Sequence, residues 1–456
     1  PVVSHKSEEQ VFSLSNEELV LNLTTWGGGI NSVVLNKYKA DQEVESGPVV
    51  LDFTNAPAFI LSGLPGLGRE SDFSISVDQN NDKATIQSET GSGLGLTRTV
   101  ALLDDYKVKV VDVFRNSSGS DITLGRHRVA MGPMSKIRSK ATVRKGMAYL
   151  DVNSLGASGD DKIIYWDRKV PKGVEKLSKR FYEGTGGGGC SMFGSGLVKP
   201  LPHQIPEVVW DAPTDWLALK NKFFLQSLMP AEEASGMVIN AKRIVPETED
   251  PAVRKTWMKQ AMLDEVFGAL SYDPVVVPAG QEFTREMDYY VGPMEYGNLK
   301  GIGNYHERIL FKTWPGFAWF RGVCAGILIA LNAIYGVIPN YGIAIILLTI
   351  IIKIIFWPIM QKSTESMKKM QDLKPDLEAL KEKYKNNPQK MQQEQMLLYK
   401  KHGVNPLASC LPMMIQMPVF IAMFTVLRKA VELRHAGFLW VTDLSEPEML
   451  MAGAIP

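Results

Sequence analysis

Lys353 is the one charged residue in the apolar run Asn340–Gln361, and its ammonium is the first group whose type and position suggest chemistry. A cation in the middle of a membrane-spanning helix costs about 2.5–3.5 kcal/mol on insertion scales, so it usually faces protein or a water-filled cavity rather than lipid. Thr349 precedes it by one helical turn on the same face, which makes a polar stripe. Gln416 stands between Pro412 and Pro418 in a second apolar run, an amide in hydrocarbon that wants a partner. The chemistry on offer is electrostatic rather than covalent. The plainer reading keeps Lys353 as a snorkelling anchor: Lys362 lies nine residues on, roughly 13 Å along the axis, and the lysine stem reaches part of the way to that interface.

No nucleophile, acid–base pair or metal set stands out elsewhere. His5, His127 and His203 are far apart in sequence, and a lone histidine reads as a hydrogen-bonded structural residue. Cys190, Cys324 and Cys410 are odd in number and scattered, without metal spacing or a disulfide framework. The run Gly184–Gly189 has neither a Gly-Lys-Ser/Thr sequence nor a helical pattern behind it, so it reads as a surface loop rather than a phosphate cradle. A net charge of +1 carries no information about nucleic acid. No cofactor is expected.

The elements that must position Lys353 and Gln416 occupy the last third of the chain. Asn340–Gln361 is long enough at about 1.5 Å per residue to cross a hydrocarbon core of roughly 30 Å. Before it, Phe320, Val323, Ile327, Leu331, Ile334 and Ile338 recur at steps of three and four. This predicts an amphipathic helix over residues 314–338 lying in the membrane interface, the alternative being a span with a turn at Ile338-Pro339-Asn340. After it, residues 362–403 carry ten lysines against six acidic residues between Lys362 and Lys401, the composition of a loop held on the cytoplasmic side. Leu373, Leu377, Leu380 and Tyr384 form one stripe there, and Met391, Gln395, Leu398 and His402 a second. Asn387-Pro388 supplies an N-cap and a first-turn proline between them, so a helical hairpin is expected, with Pro375 marking its junction with the spanning helix. Residues 405–428 form the second span, whose Met413, Met414, Met417 and Met423 give it an adaptable surface. Residues 429–447 return on the outer side, and residues 448–456 begin a further apolar stretch. The chain starts at Pro1 without methionine and stops inside that stretch, so more of the protein is expected on both sides.

Residues 11–300 differ in kind. Leu19, Leu21 and Leu23, then Phe73, Ile75 and Val77, then Tyr106, Val108 and Val110 alternate with polar or outward residues. Gln79-Asn80-Asn81-Asp82 and Asn116-Ser117-Ser118-Gly119 punctuate them, which predicts a large antiparallel β-sandwich outside the cytoplasm. The clearest helical piece within it is Trp216–Leu228.

The order of sandwich, amphipathic helix, span with a cation five residues before Pro358, and basic hairpin resembles the YidC/Oxa1/Alb3 family of membrane protein insertases. So do Asn405-Pro406-Leu407, Met414-Ile415-Gln416-Met417-Pro418-Val419-Phe420 and Val431-Glu432-Leu433-Arg434. Thr25-Trp26-Gly27-Gly28-Gly29-Ile30 and Val291-Gly292-Pro293 are similar to that family's periplasmic domain, itself a galactose mutarotase-like supersandwich. The resemblance implies a multidomain protein of the bacterial inner membrane, with the first and last three transmembrane helices outside this sequence. It implies a hydrophilic groove open to cytoplasm and lipid, in which Lys353 matches the conserved cation, usually Arg, and Thr349 and Gln416 match polar groove positions. Met413, Met417, Pro418 and Phe420 would form the face that meets substrate. Lys381, Lys383, Lys385 and Lys390 on the hairpin would meet the ribosome or signal-recognition targeting factors. Nascent membrane proteins, the Sec translocon and the lipid bilayer are the other expected partners. The rival readings are a membrane-tethered carbohydrate-binding or epimerase-like sandwich and a small-solute transporter. The first needs a clustered His and Glu, and the second needs paired half-helices or an internal repeat.

Overall fold

Period-two alternation builds most of the first unit. The computed structural model describes residues 7–42, 45–137, 150–156, 163–166, 204–243, 263–311, 318–385, 387–403 and 411–446. The chain divides into Pro1–Leu310 and Phe311–Pro456. His5, His203, Cys190, Cys410, the Gly184–Gly189 run, Asn405-Pro406-Leu407 and residues 448–456 lie outside the described residues.

The described strands of the first unit form antiparallel sheets of nine, six, four and two strands. Leu94–Leu102 and Lys107–Asn116 alternate buried and half-buried positions through most of their length, and Leu19–Thr24 puts Leu19, Leu21 and Leu23 inside. The nine-stranded and six-stranded sheets pack face to face. A Cβ on Gly268 of the latter would lie 2.9 Å from a Leu217 methyl of the former. The turn at residues 79–82 forms as its composition dictates: Asp78 Oδ1 accepts from the amides of Asp82 and Lys83, and Asn81 takes a positive φ of 56°.

The expected helix Trp216–Leu228 is instead a β-hairpin of Thr214–Lys220 and Phe224–Pro230. Both strands run through the interior of the nine-stranded sheet, and Trp216, Leu217, Ala218, Leu219, Phe224, Leu225 and Leu228 are all buried. Burial on both faces erases the alternation, and a continuous apolar run then imitates a helix. Asn221 makes the turn by accepting from the amides of Phe223 at 3.0 Å and Phe224 at 2.9 Å.

The core of the sandwich contains an ion pair. Arg98 and Asp112 are cross-strand partners and pair through both oxygens at 2.6 and 2.7 Å, with Arg98 1% exposed and Asp112 fully buried. Arg98 Nη1 also donates to the carbonyls of Gly28 at 3.1 Å and Phe59 at 2.6 Å. Gly28 has a φ of +62°, and a Cβ there would meet the Phe73 ring at 2.9 Å. The glycine-rich stretch therefore brings backbone to a buried guanidinium where a side chain would not fit.

The second unit is helical. Asn340 caps the long helix Tyr341–Asp372 by accepting from the Ile343 amide at 3.1 Å. The helix ends at Leu373, where Lys374–Lys383 starts with Pro375 in its first turn. Asn387 then caps Pro388–Lys401 by accepting from the Lys390 amide at 3.1 Å. Ala318–Val337 and Leu411–Lys429 complete the set. Ala318–Val337 and Tyr341–Asp372 are long and apolar enough to cross a membrane.

Candidate functional site

Ala318–Val337 packs against both of the other apolar helices, which touch each other more sparingly. Its buried side is Cys324, Ala325, Ile327, Leu328 and Leu331. Ile327 and Leu331 belong to the expected stripe; Phe320 and Val323 are half-buried and Ile338 is exposed. The long helix contributes Gly342, Ala344 and Leu348 to the packing, and the methionine-rich helix Ala422 and Val426. Gly342 is required there, since the Phe438 ring occupies the space a Cβ would take. Two helices held on a third leave a wedge between themselves.

A recess of about 280 Å³ opens in that wedge, lined by Ile352, Lys353, Phe356, Trp357, Ile359, Met360 and Gln416. Lys353 and Gln416, singled out separately in the sequence, thus line one cavity from two helices. Apolar and aromatic side chains supply the rest of the wall. Pro358 lies just beyond Trp357 inside the helix and withdraws the amide that Ile354 O would accept, which loosens the backbone beside the recess. Lys353 is exposed and, among the described residues, has no ion-pair partner. Its charge is open to an incoming group. Thr349 does not line the recess: its hydroxyl donates back to Ile345 O at 2.8 Å, the usual recourse of a threonine in an apolar helix.

Met417 and Phe420 are 52% and 70% exposed, Pro418 is half-buried, and Met414, Ile421 and Phe424 extend the same open apolar surface. The side chain of Met413 lies outside the described residues. On the hairpin, Lys381, Lys383, Lys385 and Lys390 are all exposed, and the ammonium groups of Lys383 and Lys390 each stand 5.6 Å from the Tyr384 ring.

The sequence reading missed a polar lock at the other end of the long helix. Asn332 Nδ2 donates to Glu432 Oε1 at 3.2 Å, and Tyr341 Oη donates to Asn332 Oδ1 at 3.4 Å. The rings of Tyr335 and Tyr341 stack 3.9 Å apart. Ala430, Val431 and Leu433 are buried beside Glu432. Tyr341 and Lys353 are twelve residues apart, so the lock sits about 18 Å along the helix from the recess, on the side away from the hairpin. Asn332 could have been found as Gln416 was, as an amide in an apolar helix. Ile352, Phe356 and Met360 could have been read as a wall at helical spacing beside Lys353.

The described histidines of the sandwich are structural rather than catalytic. His127 is buried, its Nδ1 donating to Gly125 O at 2.7 Å and its Nε2 facing Arg285 Nη1 at 2.7 Å. Burial lowers its pKa to about 4. His306 is likewise lowered to about 4 by burial, bonded to Gly303 O and Ser227 Oγ.

Two family models match the chain: 60Kd inner membrane protein over residues 333–455 and YidC periplasmic domain over residues 12–155. Proteins named membrane protein insertase YidC are similar throughout. That of Chlorobaculum parvum is 36% identical over 455 residues, 97% of this chain and 68% of that protein. That of Syntrophus aciditrophicus is 36% identical over 451 residues, 97% and 73%. That of Chlorobium limicola is 30% identical over 347 residues, 73% of this chain and 55% of that protein. The aligned chain thus spans between about half and three quarters of these relatives. Over the sandwich, a galactose mutarotase related enzyme from Lactobacillus acidophilus is similar at 10% identity and a TM-score of 0.37, covering 62% of this chain and 97% of that one. A galactose mutarotase-like protein from Lactobacillus casei is similar at 9% and 0.35, covering 62% and 100%. Likeness at that level transfers no chemistry. The matches at both ends of the chain, with the relatives aligned along nearly all of it, agree on one assignment: the chain belongs to the YidC family of 60Kd inner membrane proteins.

Proposed function

We propose that the protein inserts and folds integral membrane proteins, and that the recess at Lys353 is where a translocating polar segment is received. The observation that carries this reading is a cation, without an ion pair among the described residues, and an amide sharing one cavity in an otherwise apolar wall. An acidic or polar tail entering the membrane loses its hydration, at a cost of several kcal/mol. A positive charge and an amide partway across offset that loss, while the open methionine and phenylalanine surface of Leu411–Lys429 lets the apolar part of the substrate slide into lipid. Hydrophobic burial drives the process, and no covalent bond is made or broken.

In this reading the sandwich lies in the periplasm, the basic hairpin lies in the cytoplasm, and residues 340–361 and 405–428 span the inner membrane. The ten lysines against six acidic residues between Lys362 and Lys401 support that orientation. The four exposed hairpin lysines offer an anionic partner such as the ribosome or a targeting factor a point of contact, and the Sec translocon would join at the membrane and periplasmic parts. Lysine at 353 keeps the charge but lacks the two-pronged donor geometry of arginine, so it suits a tail of varied shape.

The test is a photocrosslinking amino acid placed at Gln416, at Phe420 or at Trp319 in the full-length protein, with a stalled single-span nascent chain. Crosslinks from 416 to the polar tail and from 420 to the apolar segment, with none from 319, support the reading. Crosslinks from all three positions alike, or from 319 alone, contradict it.

A further inference from the structure

A second cavity, of about 460 Å³, opens in the sandwich where the turn Ala231–Ser235, the segment Tyr272–Val275 and strand residues Phe283–Glu286 meet. Arg285 lines it while being only 7% exposed. One of its N–H groups is taken by His127: Nδ1 of that ring donates to Gly125 O, which leaves Nε2 as an acceptor for Arg285 Nη1. The guanidinium lies flat against aromatic surface, with Cζ 3.7 Å from the centre of the Tyr272 ring and 5.3 Å from that of Phe283. Among the described residues no carboxylate stands within ion-pair distance of it, and its other N–H groups have no protein partner. Tyr272 Oη is buried without a hydrogen bond. Asp112, the cross-strand partner of Arg285, and Glu232 oppose its charge from beyond bonding distance, so what stays unfinished is the set of spare N–H donors, which a buried polar group normally satisfies.

The mouth has the opposite sign. Glu286 is engaged by Lys109 at 2.9 Å and Asp273 by Arg126 at 3.4 Å, but Glu232 and Glu233 are exposed and hold no ion pair among the described residues. A simple anion drawn to Arg285 would be repelled on its way in. A neutral polyol would offer the spare guanidinium donors no charged acceptor. We propose that this cavity binds a small zwitterion of the amino-acid or dipeptide class, its carboxylate on Arg285 and its ammonium against Glu232 and Glu233. Arginine matches a carboxylate with two parallel donors, and the volume falls within the range of small-molecule sites.

The probe is L-alanyl-L-alanine, titrated calorimetrically into the full-length protein in detergent, beside its N-acetylated form, its C-terminal amide, acetate and galactose. Saturable binding of the dipeptide, weakened about tenfold or more by either cap, is expected from the loss of one charged partner. Arg285→Met should weaken it by a similar factor. The paired Glu232→Gln and Glu233→Gln change, at two exposed positions that leave the sandwich intact, should do so as well. Absence of saturable dipeptide binding, equal binding of acetate or galactose, or indifference to the Glu232/Glu233 change overturns the proposal.

Discussion

Asn332 and Glu432, one hundred residues apart in sequence, meet through a hydrogen bond of 3.2 Å that ties the first apolar helix to the segment following the methionine-rich one. Tyr341 adds a bond to the same amide. Asn332→Leu removes the partner that Glu432 and Tyr341 share, a loss of about 0.5–1.5 kcal/mol for each hydrogen bond. The thermal midpoint of the detergent-solubilised protein should fall, and Tyr341→Phe should lower it less. An unchanged midpoint in Asn332→Leu would mean the lock contributes nothing to holding the helices.

The buried pair Arg98–Asp112 gives a sharper contrast. Asp112→Ala strands a guanidinium in the core, and removal of one partner of a buried pair costs about 3–5 kcal/mol. The double change Arg98→Met with Asp112→Leu should recover much of that loss, short of the bonds to Gly28 O and Phe59 O. Denaturant unfolding, followed through the sandwich tryptophans, tests the order: wild type, then double variant, then Asp112→Ala. A double variant weaker than Asp112→Ala would contradict it.

His127 and His306 set a pH dependence. Both are buried and titrate at about 4 in the folded state, below the ordinary value of 6.5. The unfolded chain therefore takes up protons first as pH falls from about 6.5 to about 4, and stability is lost across that window. Above it both states are neutral at these sites and the slope vanishes. A shift of this size is of the order of 3 kcal/mol per histidine. His306→Gln should flatten the profile between pH 6 and 4 while lowering stability at pH 7, as measured by unfolding midpoints at each pH.

Gln416→Glu places a carboxylate in the recess that holds Lys353. An internal partner would compete with an incoming acidic tail, and insertion of an acidic-tailed substrate should fall by roughly tenfold, the effect of one charge-assisted hydrogen bond. A substrate with a neutral tail should be affected less. Equal losses for the two tails would place Gln416 in a structural role.

Some of this was plain from the residues. Lys353 and Gln416 stand out because charge and amide are conspicuous in apolar runs, and Asn387-Pro388 announced a helix start that the cap bond to Lys390 bears out. The alternating leucines of Leu19–Thr24 gave a strand for the same reason: one face is buried and the other is not. Thr214–Lys220 and Phe224–Pro230 carry no strand period, because both of their faces are buried. The bonds that join Asn332 to Glu432 and Arg285 to His127 link residues 100 and 158 positions apart, and the Asn332–Tyr341 bond crosses the turn between two helices, so none leaves a periodic pattern.

The most direct measurement is protease protection of a short single-span test protein with an acidic tail, inserted into proteoliposomes carrying the full-length protein with Lys353, Lys353→Arg, Lys353→Ala or Lys353→Glu. The charge in the recess requires a protected fragment with lysine and arginine, a much reduced one with alanine and none with glutamate, while the protein itself stays folded. Equal protection in all four would show that Lys353 serves only to anchor its helix at the interface.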